Sequence, residues 1–335
     1  MREDPALAGF FRRRERWKLA ELLFFAACVG AYFLPDAHYV LMSQVLIWGM
    51  FALSLDLLVG FRNIPSLGHA AFFGTGAYAA GLLGRHGVSD PVVGLLVSAL
   101  VTGLLGLVMG LVVRRLHGLA VLMVTLSFNL LLEEFVHKAR DLTGGDDGLL
   151  GIVISPIFGL VRFDYSGRVG YVYALVVAFA CIWLVRAVLN TPWGIRLRAG
   201  KDNDRRLAML GANTSADIVW LFGFSALIAG AAGATMTQIS QFVSSDAVAF
   251  HRSADVLVIL IIGGAGSIYG AFVGAAIYIG LRDYFAAIHP VYWYFWVGLL
   301  LVLVVAFFRA GIVPTLARLA HRLRLRTARR TEARP

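Results

Sequence analysis

The residues best suited to chemistry lie in one polar segment, Thr191–Ser215, which separates two apolar runs, Val169–Leu189 and Ile218–Met236. The segment holds five basic and two acidic residues, so its net charge is +3. An excess of arginine and lysine in a short loop between membrane spans places that loop in the cytoplasm. The chemistry open to it is binding: the loop is either a tether that keeps two helices in register or a docking surface for a cytoplasmic partner.

The same segment carries the signals of a short helix outside the bilayer. Asp202 or Asn203 is suited to cap its N-terminus, and Gly211 stands where a C-terminal glycine belongs.

Side-chain spacing adds to this prediction. Asp202 and Arg206 stand four residues apart with the acid first, which predicts an ion pair on one helix face, and Leu207 and Leu210 are predicted to share another face.

The sequence contains no motif for nucleotide binding, metal binding or disulfide formation. The nearest approach to a phosphate-binding loop, Gly194 to Gly200-Lys201, has five residues between its glycines and is followed by Asp202. The eight histidines lack ligand spacing, and Cys28 and Cys181 lie inside apolar runs. We therefore expect no enzyme activity, no metal and no cofactor bound by this chain.

Asp56 is the acidic residue most clearly inside an apolar run, six residues before Arg62. An ionisable residue within a membrane span favours a functional role, whereas one near a helix end is often paired. Asp56 is therefore either an acid that faces a pore or a structural partner of Arg62.

Composition assigns the chain to the multi-pass membrane proteins. Its mean hydropathy is +0.77, with 59% hydrophobic and 15% charged residues. The net charge of +10 would suggest nucleic acid for a soluble protein, but the basic residues cluster at the termini and in loops, as membrane topology requires. We expect contact with lipid and no nucleic-acid binding.

The order of apolar runs predicts an all-α bundle of about ten membrane segments with both termini in the cytoplasm. The predicted regions are a basic N-terminus (1–18), a membrane domain (19–309) and a basic C-terminal tail (310–335). The membrane domain includes an external segment (137–168) and the polar cytoplasmic loop (190–216).

The topology requires a break at Gly263-Gly264-Ala265-Gly266. Without it, Asp255–Leu281 would form one span and the basic tail would lie outside. The break leaves Asp255–Ile262, which is too short to span, and Ser267–Leu281, which is marginal. Non-helical backbone at membrane depth is tolerated where protein or a water-filled cavity surrounds it, so we expect the break to line a path or to be buried.

Rows of small residues predict closely packed helices. They are Gly266, Gly270 and Gly274; Ala226, Gly230 and Ala234; and Gly106 with Gly110.

Four stretches, in this order along the chain, resemble one family. They are Asn63–Leu83 (NIPSLGHAAFFGTGAYAAGLL), Leu142–Leu149 (LTGGDDGL), Thr191–Asn213 and Asp255–Ala275 (DVLVILIIGGAGSIYGAFVGA). Together they resemble the LivM/LivH-like permease subunits of branched-chain amino-acid ABC importers, and the resemblance covers nearly the whole chain.

The resemblance implies a permease in the bacterial inner membrane. It implies four kinds of partner: a second homologous permease, two cytoplasmic ABC ATPases that hydrolyse ATP, a periplasmic solute-binding protein and the surrounding lipid. It favours docking as the role of the polar loop. The residues that it assigns to coupling with the ATPase are Arg198, Ala199, Gly200, Lys201, Asp202, Asn203, Arg206, Leu207, Leu210 and Gly211.

The broken segments near Ser66–Gly76 and Gly263–Ser267 are predicted to flank the translocation path, which gives a second set of candidate residues. The set comprises Asp56, Ser66, Gly68, His69, Gly74, Gly76, Gly263, Gly264, Gly266 and Ser267. The chain departs from the family pattern at Asp56, at Asn63-Ile64-Pro65 and at Gly200-Lys201-Asp202-Asn203. The departure at Gly200–Asn203 predicts altered docking contacts. Those at Asp56 and Asn63-Ile64-Pro65 leave the solute open, and urea, amides and aromatic acids are the alternatives within the family.

Two other classes remain open. A secondary transporter or channel also uses broken helices near the membrane midplane, but it predicts paired charges or ion-coordinating groups in both halves of the chain. A purely structural membrane subunit would not need the glycine breaks.

Overall fold

The computed structural model describes residues 38–156 and 167–288, together with single positions between 25 and 33 and between 292 and 315. The described chain is helical, and its one β-type pairing is an isolated bridge between Leu149 and Val243. Its α-helices are α1 (Tyr39–Arg62), α2 (His69–Arg85), α3 (Pro91–Val113), α4 (Leu119–Lys138), α5 (Arg140–Thr143), α6 (Arg168–Leu189), α7 (Pro192–Met209), α8 (Thr214–Ser240), α9 (Phe250–Gly263) and α10 (Ile268–Ile288).

Six described helices are long and apolar enough to cross a membrane: α1, α3, α4, α6, α8 and α10. Helices α2 and α9 have 17 and 14 residues, which is shorter than the roughly 20 residues of a full span. This confirms the predicted polytopic helical bundle with interrupted helices. The total of ten segments stays a prediction, because most of 19–34 and 294–308, the N-terminus 1–18, part of the external segment (157–166) and most of the tail lie outside the described residues.

Helices α1 and α8 form the centre of the bundle. In their most apolar stretches 83% and 78% of the residues are buried, against 22–44% in the other four spanning helices. Helix α8 packs most extensively against α3 and α2, and α1 packs against α10, α8 and α6. A helix that is apolar all round belongs in such a centre, whereas the outer helices present one face to lipid.

The rows of small residues bring these helices together, as predicted. A β-carbon on Gly106 would meet Ala226 and the backbone of α8, and one on Gly76 would meet the backbone of Gly230. At these crossings the backbones approach so closely that only glycine fits.

The predicted glycine break is present, but it separates one short helix from one long helix. Helix α9 ends at Gly263, and Gly264 and Gly266 adopt φ angles of +102° and +85°, which favour glycine. Helix α10 then runs to Ile288, seven residues beyond the predicted Leu281. The prediction of two short helices was wrong for the second, because Arg282 and Asp283 continue the helix where the fall in hydropathy suggested its end.

The bundle has two distinct ends. At the α7 end, α1 and α6 finish and α8 begins, with α7 lying across them. At the far end, α1 and α6 begin and α8 finishes, so that Gly167 lies against Tyr39 and Val40. The bridge between Leu149 and Val243 also belongs to the far end.

Candidate functional site

The polar loop between α6 and α8 forms α7, which bends sharply at Asn203. The backbone there is extended (φ −162°, ψ 101°), and the Asn203 side-chain oxygen accepts a hydrogen bond from the Arg206 N–H at 3.0 Å. Asn203 therefore caps a second short helical segment, and this confirms the predicted capping position. The first segment has its own cap, because Thr191 Oγ1 accepts from the Gly194 N–H at 3.4 Å.

The second segment ends at Gly211, as predicted. Gly211 has φ +85°, its N–H donates to the Ala208 carbonyl at 3.0 Å, and the Ala212 N–H donates to the Leu207 carbonyl at 3.4 Å. This pair of bonds is a Schellman motif, which satisfies the last carbonyls of a helix and needs a left-handed residue at the glycine position.

Two predictions about the faces of this segment were wrong. Leu207 is buried, whereas Leu210 is 84% exposed, because Leu210 is already the capping residue and leaves the helical face. Asp202 and Arg206 form no ion pair with each other, since the kink at Asn203 lies between them and interrupts the helical spacing.

One side of α7 is fastened to the end of α1 through Arg62, a buried residue. Its guanidinium lies 2.5 Å from the Asp204 carboxylate, and its Nη1 donates to the Arg196 carbonyl at 3.5 Å. Gly200 lies directly over this guanidinium, and a β-carbon at that position would collide with it. The candidate coupling residue Gly200 thus has a structural reason to be glycine.

Further contacts extend this attachment to α8 and along α1. Lys201 Nζ donates to the Gly60 carbonyl at 2.5 Å, and the Arg198 guanidinium lies 5.4 Å from the centre of the Phe61 ring. Arg196 Nη2 donates to the buried Asp217 carboxylate of α8 at 3.1 Å. Helix α7 is therefore held by the two central helices of the bundle.

The opposite side of α7 is open. Ala199, Asp202 and Arg206 are exposed, and Met209 and Leu210 are 80% and 84% exposed. Two large apolar side chains beside a charged surface form a small patch suited to contact with another protein.

Asp56 is fully buried, and it contacts the glycine break and not Arg62. Its Oδ1 accepts a hydrogen bond from the Gly266 N–H at 2.6 Å, whereas Arg62 pairs with Asp204. Lys201 Nζ lies beside Gly266 at the same place. Asp56 therefore joins α1 to the α9–α10 break, and the interpretation as the partner of Arg62 was wrong.

The start of α2 forms a second polar cluster deeper in the bundle. His69 Nε2 lies 2.9 Å from Ser225 Oγ, whose hydroxyl donates to the Ser54 carbonyl at 2.6 Å, and His69 Nδ1 lies 3.3 Å from Ser66 Oγ. Because Ser225 Oγ donates onward, it accepts from His69, which indicates that Nε2 carries a proton. Gly68 precedes this helix and lies against the Thr125 backbone.

Hydroxyl groups from neighbouring helices satisfy the free N–H groups around this interrupted start. Thr125 Oγ1 accepts from Leu67 N–H at 3.2 Å, and Ser253 Oγ accepts from Ala70 N–H at 2.9 Å. Neither residue was among the sequence candidates, nor was Ser225. For Ser225 the signal was a hydroxyl within an apolar run, a feature of helix contacts inside membranes, whereas Ser253 lies in the polar stretch His251–Asp255 and gave no such signal.

The remaining path candidates are packed against protein. Gly74 lies against Val248, Gly76 against Gly230, and Gly263 against the backbone of Gly270 in α10. Gly264 is buried, and Ser267 is partly exposed beside the more open Gly266. The candidates thus fall into two groups, one at the glycine break near α7 and one at the start of α2, and α1 connects them through Ser54 and Asp56.

A cavity of about 330 Å³ lies between α7 and the ends of α1 and α3. Arg62, Lys201 and Asp204 line one part of it, and Val113 and Val121 line another. The attachment of α7 is therefore not close-packed on every side, which leaves space for α7 to shift against the bundle.

The family model described as "Branched-chain amino acid transport system / permease component" matches residues 39–305. The chain is similar to the high-affinity branched-chain amino acid transport system permease protein LivM of Salmonella typhimurium (25% identity) and of Escherichia coli (26%). Each alignment covers 92% of this chain and 77% of the relative. It is also similar to the fructose import permease protein FrcC of Rhizobium meliloti, with 25% identity over 83% of this chain and 79% of that one. No solved structure matches the chain.

Proposed function

The chain belongs to the family of permease components of branched-chain amino acid transport systems. From this premise we propose that it is the transmembrane subunit of an ATP-driven (ABC) importer, and that α7 is the helix through which partner ATPases move it. It has no ATPase site of its own and forms the translocation path with a second permease. The solute that we propose is a branched-chain amino acid, delivered by a periplasmic binding protein.

The observation that carries this proposal is the two-sided character of α7. One side is joined to α1 and α8 through Arg62, Arg196 and Lys201, and the other side presents the exposed pair Met209 and Leu210. A tether needs only the attached side. An exposed apolar patch on a loop that is fastened to the central helices favours a docking surface, and a force on it would reach the centre of the bundle.

The contacts of α1 would carry a movement of α7 to the translocation path. Lys201 holds the Gly60 carbonyl, and one turn earlier Asp56 holds the Gly266 N–H of the glycine break. A shift of α7 would therefore displace α1 and the α9–α10 break together. Coupling between two sites requires an element whose two states both sites bias, and we assign that role to this connected group.

Family membership also supports the proposed location. We place the chain in the bacterial inner membrane, with the α7 end and both termini in the cytoplasm and the far end toward the periplasm. The basic residues of α7 agree with this orientation. Because one relative is a fructose import permease, the fold alone does not decide the solute. Urea, amides and aromatic acids remain the alternatives.

The test is co-purification of the permease from detergent with the two ATPase subunits of its own transport system. The variant Met209→Ser/Leu210→Ser is expected to reduce ATPase recovery at least about tenfold, since burial of each large apolar side chain is worth roughly 1.5–3 kcal/mol. The matched control is Leu150→Ser, which changes a 65% exposed leucine outside α7.

Uptake into proteoliposomes separates this function from a secondary transporter or channel. We expect uptake to need ATP and the ATPases, and to fall with the same double variant. Uptake by the permease alone, driven by an ion gradient and indifferent to changes at Met209 and Leu210, would show that the chain is not an ABC permease.

A further inference from the structure

A second cavity lies at the far end of the bundle, away from α7. It has a volume of about 470 Å³ and opens between the first turns of α1, α6 and α9, the last turn of α8 and the outer third of α10. This volume is within the range of roughly 300–1,000 Å³ that small-molecule sites occupy in proteins.

Two arginines, Arg252 and Arg282, are the charged residues that line this cavity, and no described lining residue is a carboxylate. The wall is therefore positively charged, which favours an anion. A cationic group in this cavity would have no acidic partner among the described lining residues.

Arg252 is held in place by two neighbouring side chains. Its Nε donates to Asp246 Oδ2 at 3.1 Å, and its guanidinium lies 5.0 Å from the centre of the Trp48 ring. His251 Nε2 is 2.8 Å from the other oxygen of the same carboxylate. These contacts orient Arg252 and balance part of its charge, so its main role in the cavity is a fixed hydrogen-bond donor.

Arg282 is balanced less directly. Its Nη2 donates to the neutral Gln44 Oε1 at 2.9 Å, and it forms no ion pair with a described carboxylate, although the charge of Asp255 on α9 is within reach. The residue lies within α10, a helix long and apolar enough to span the membrane. A guanidinium has five N–H donors, and a cation at such a position is costly unless a partner or a functional ligand meets it.

Part of the remaining wall is apolar, beside the neutral polar residues Ser43, Gln44, Ser240 and Gln241. Ile47 and Trp48 of α1 face the cavity from one side, and Met236 and Ile239 of α8 from the other. A positively charged point next to an apolar wall matches a molecule with one oxyanion and a hydrocarbon part.

We propose that this cavity binds the carboxylate of a small organic acid with an apolar body, with Arg282 as the main contact and Arg252 as the second. The proposal rests on the proposed function and deepens it: the cavity would be the first station of the solute in the membrane subunit. Charge-assisted bonds from arginine to a carboxylate are among the stronger and more directional contacts available to a protein.

Because no described lining residue is a carboxylate, the site should distinguish ligands by their carboxylate and not by their amino group. The amino group of an amino acid finds no charged partner among the described lining residues, so the carboxylate must supply the recognition. Leucine and its desamino analogue 4-methylpentanoate are expected to bind within about threefold of each other. Leucinamide, which lacks the carboxylate, is expected to bind at least about tenfold more weakly.

The experiment uses the full-length chain in phosphatidylcholine nanodiscs without any ATPase, with radiolabelled leucine as the probe and the other two compounds as competitors. Arg282→Gln is expected to weaken leucine binding at least about tenfold. The matched control is Arg168→Gln, which removes an exposed arginine at the same end whose guanidinium lies over the Tyr39 ring and does not line the cavity. This control is expected to bind leucine as the wild type does.

The competition among the three compounds needs only wild-type protein, so a misfolded Arg282→Gln variant would not remove the test. Leucinamide that competes as well as leucine, or a folded Arg282→Gln variant that keeps wild-type affinity, would overturn the proposal. Phosphatidylglycerol offers the same chemistry through its phosphate. If leucine does not bind in phosphatidylcholine nanodiscs, and the wild type retains added phosphatidylglycerol whereas Arg282→Gln does not, the occupant is a lipid headgroup and the organic-acid site is refuted.

These results are independent of the ATPase interaction. The permease could co-purify with its ATPases and take up leucine with ATP, while its leucine binding does not depend on Arg282. The proposed function would then stand, and only the proposal for this cavity would be refuted.

Discussion

Asp56 Oδ1 accepts a hydrogen bond from the backbone N–H of Gly266 at 2.6 Å, across 210 positions of the chain. This contact joins the central helix α1 to the break between α9 and α10, within one turn of the carbonyl that holds Lys201 of α7. Helix α1, the break between α9 and α10, and α7 thus form one connected group.

Removal of this carboxylate should destabilise the bundle. Asp56→Ala removes the acceptor for the Gly266 N–H, and the loss of a typical hydrogen bond costs about 0.5–1.5 kcal/mol. Asp56→Asn keeps an acceptor oxygen and should cost less. Thermal unfolding of the purified permease measures both, and equal unfolding temperatures for wild type and Asp56→Ala would contradict a structural role for the bond.

Lys201→Met should uncouple ATP hydrolysis from transport while leaving the ATPase bound. The change removes the bond to the Gly60 carbonyl but not the exposed docking pair Met209 and Leu210. We expect the solute moved per ATP hydrolysed to fall severalfold in proteoliposomes. Arg205→Met, which changes an exposed basic residue of the same helix, is the control. An unchanged ratio in the Lys201 variant would remove this residue from the coupling route.

Gly76→Ala should destabilise the bundle by pushing α2 away from α8. Its added methyl group would meet the backbone of Gly230, and overpacking of this kind typically costs about 1–3 kcal/mol. Gly280→Ala is a matched control, because no described atom outside the nearby backbone of its own helix lies within 4 Å of a β-carbon at that position. The control should be neutral or stabilising by up to about 1 kcal/mol. Similar unfolding temperatures for the two variants would show that the α2–α8 crossing adapts without cost.

The Asp246 cluster at the far end should make stability depend on pH in the acid range. Burial acts to raise the pKa of Asp246, but the hydrogen bond and charge of Arg252 and the charge of His251 outweigh it, so the pKa lies below its usual 3.8. A lowered pKa means that the carboxylate stabilises the folded state above the unfolded-state pKa, and that this contribution is lost as pH falls through the lower, folded-state value.

Comparison of wild type with Asp246→Asn tests this sign. The difference in unfolding temperature should be constant above about pH 5 and should shrink as the pH falls below about 4. A difference that instead grows on acidification would mean that the carboxylate is not stabilised by its basic neighbours.

Local features of the candidate site were predictable from sequence because they depend on neighbours in the chain. The cap at Asn203 and the glycine at Gly211 are set by residues within one turn, and the break at Gly263–Gly266 is set by backbone preferences of glycine. The helical bundle itself follows from the length and spacing of the apolar runs.

The partners of the buried polar residues were decided by tertiary structure alone. Hydropathy indicates that Asp56 and Arg62 lie in one helix, but not the rotation of that helix or the element that each side chain faces. Packing of α1 against α10 and α7 turned Asp56 toward Gly266 and Arg62 toward Asp204. The cavity with Arg252 and Arg282 has the same origin, since its walls come from five helices that meet only in the folded bundle. Sequence therefore determined which segments enter the membrane and where they break, whereas the close approach of small residues determined which side chains meet.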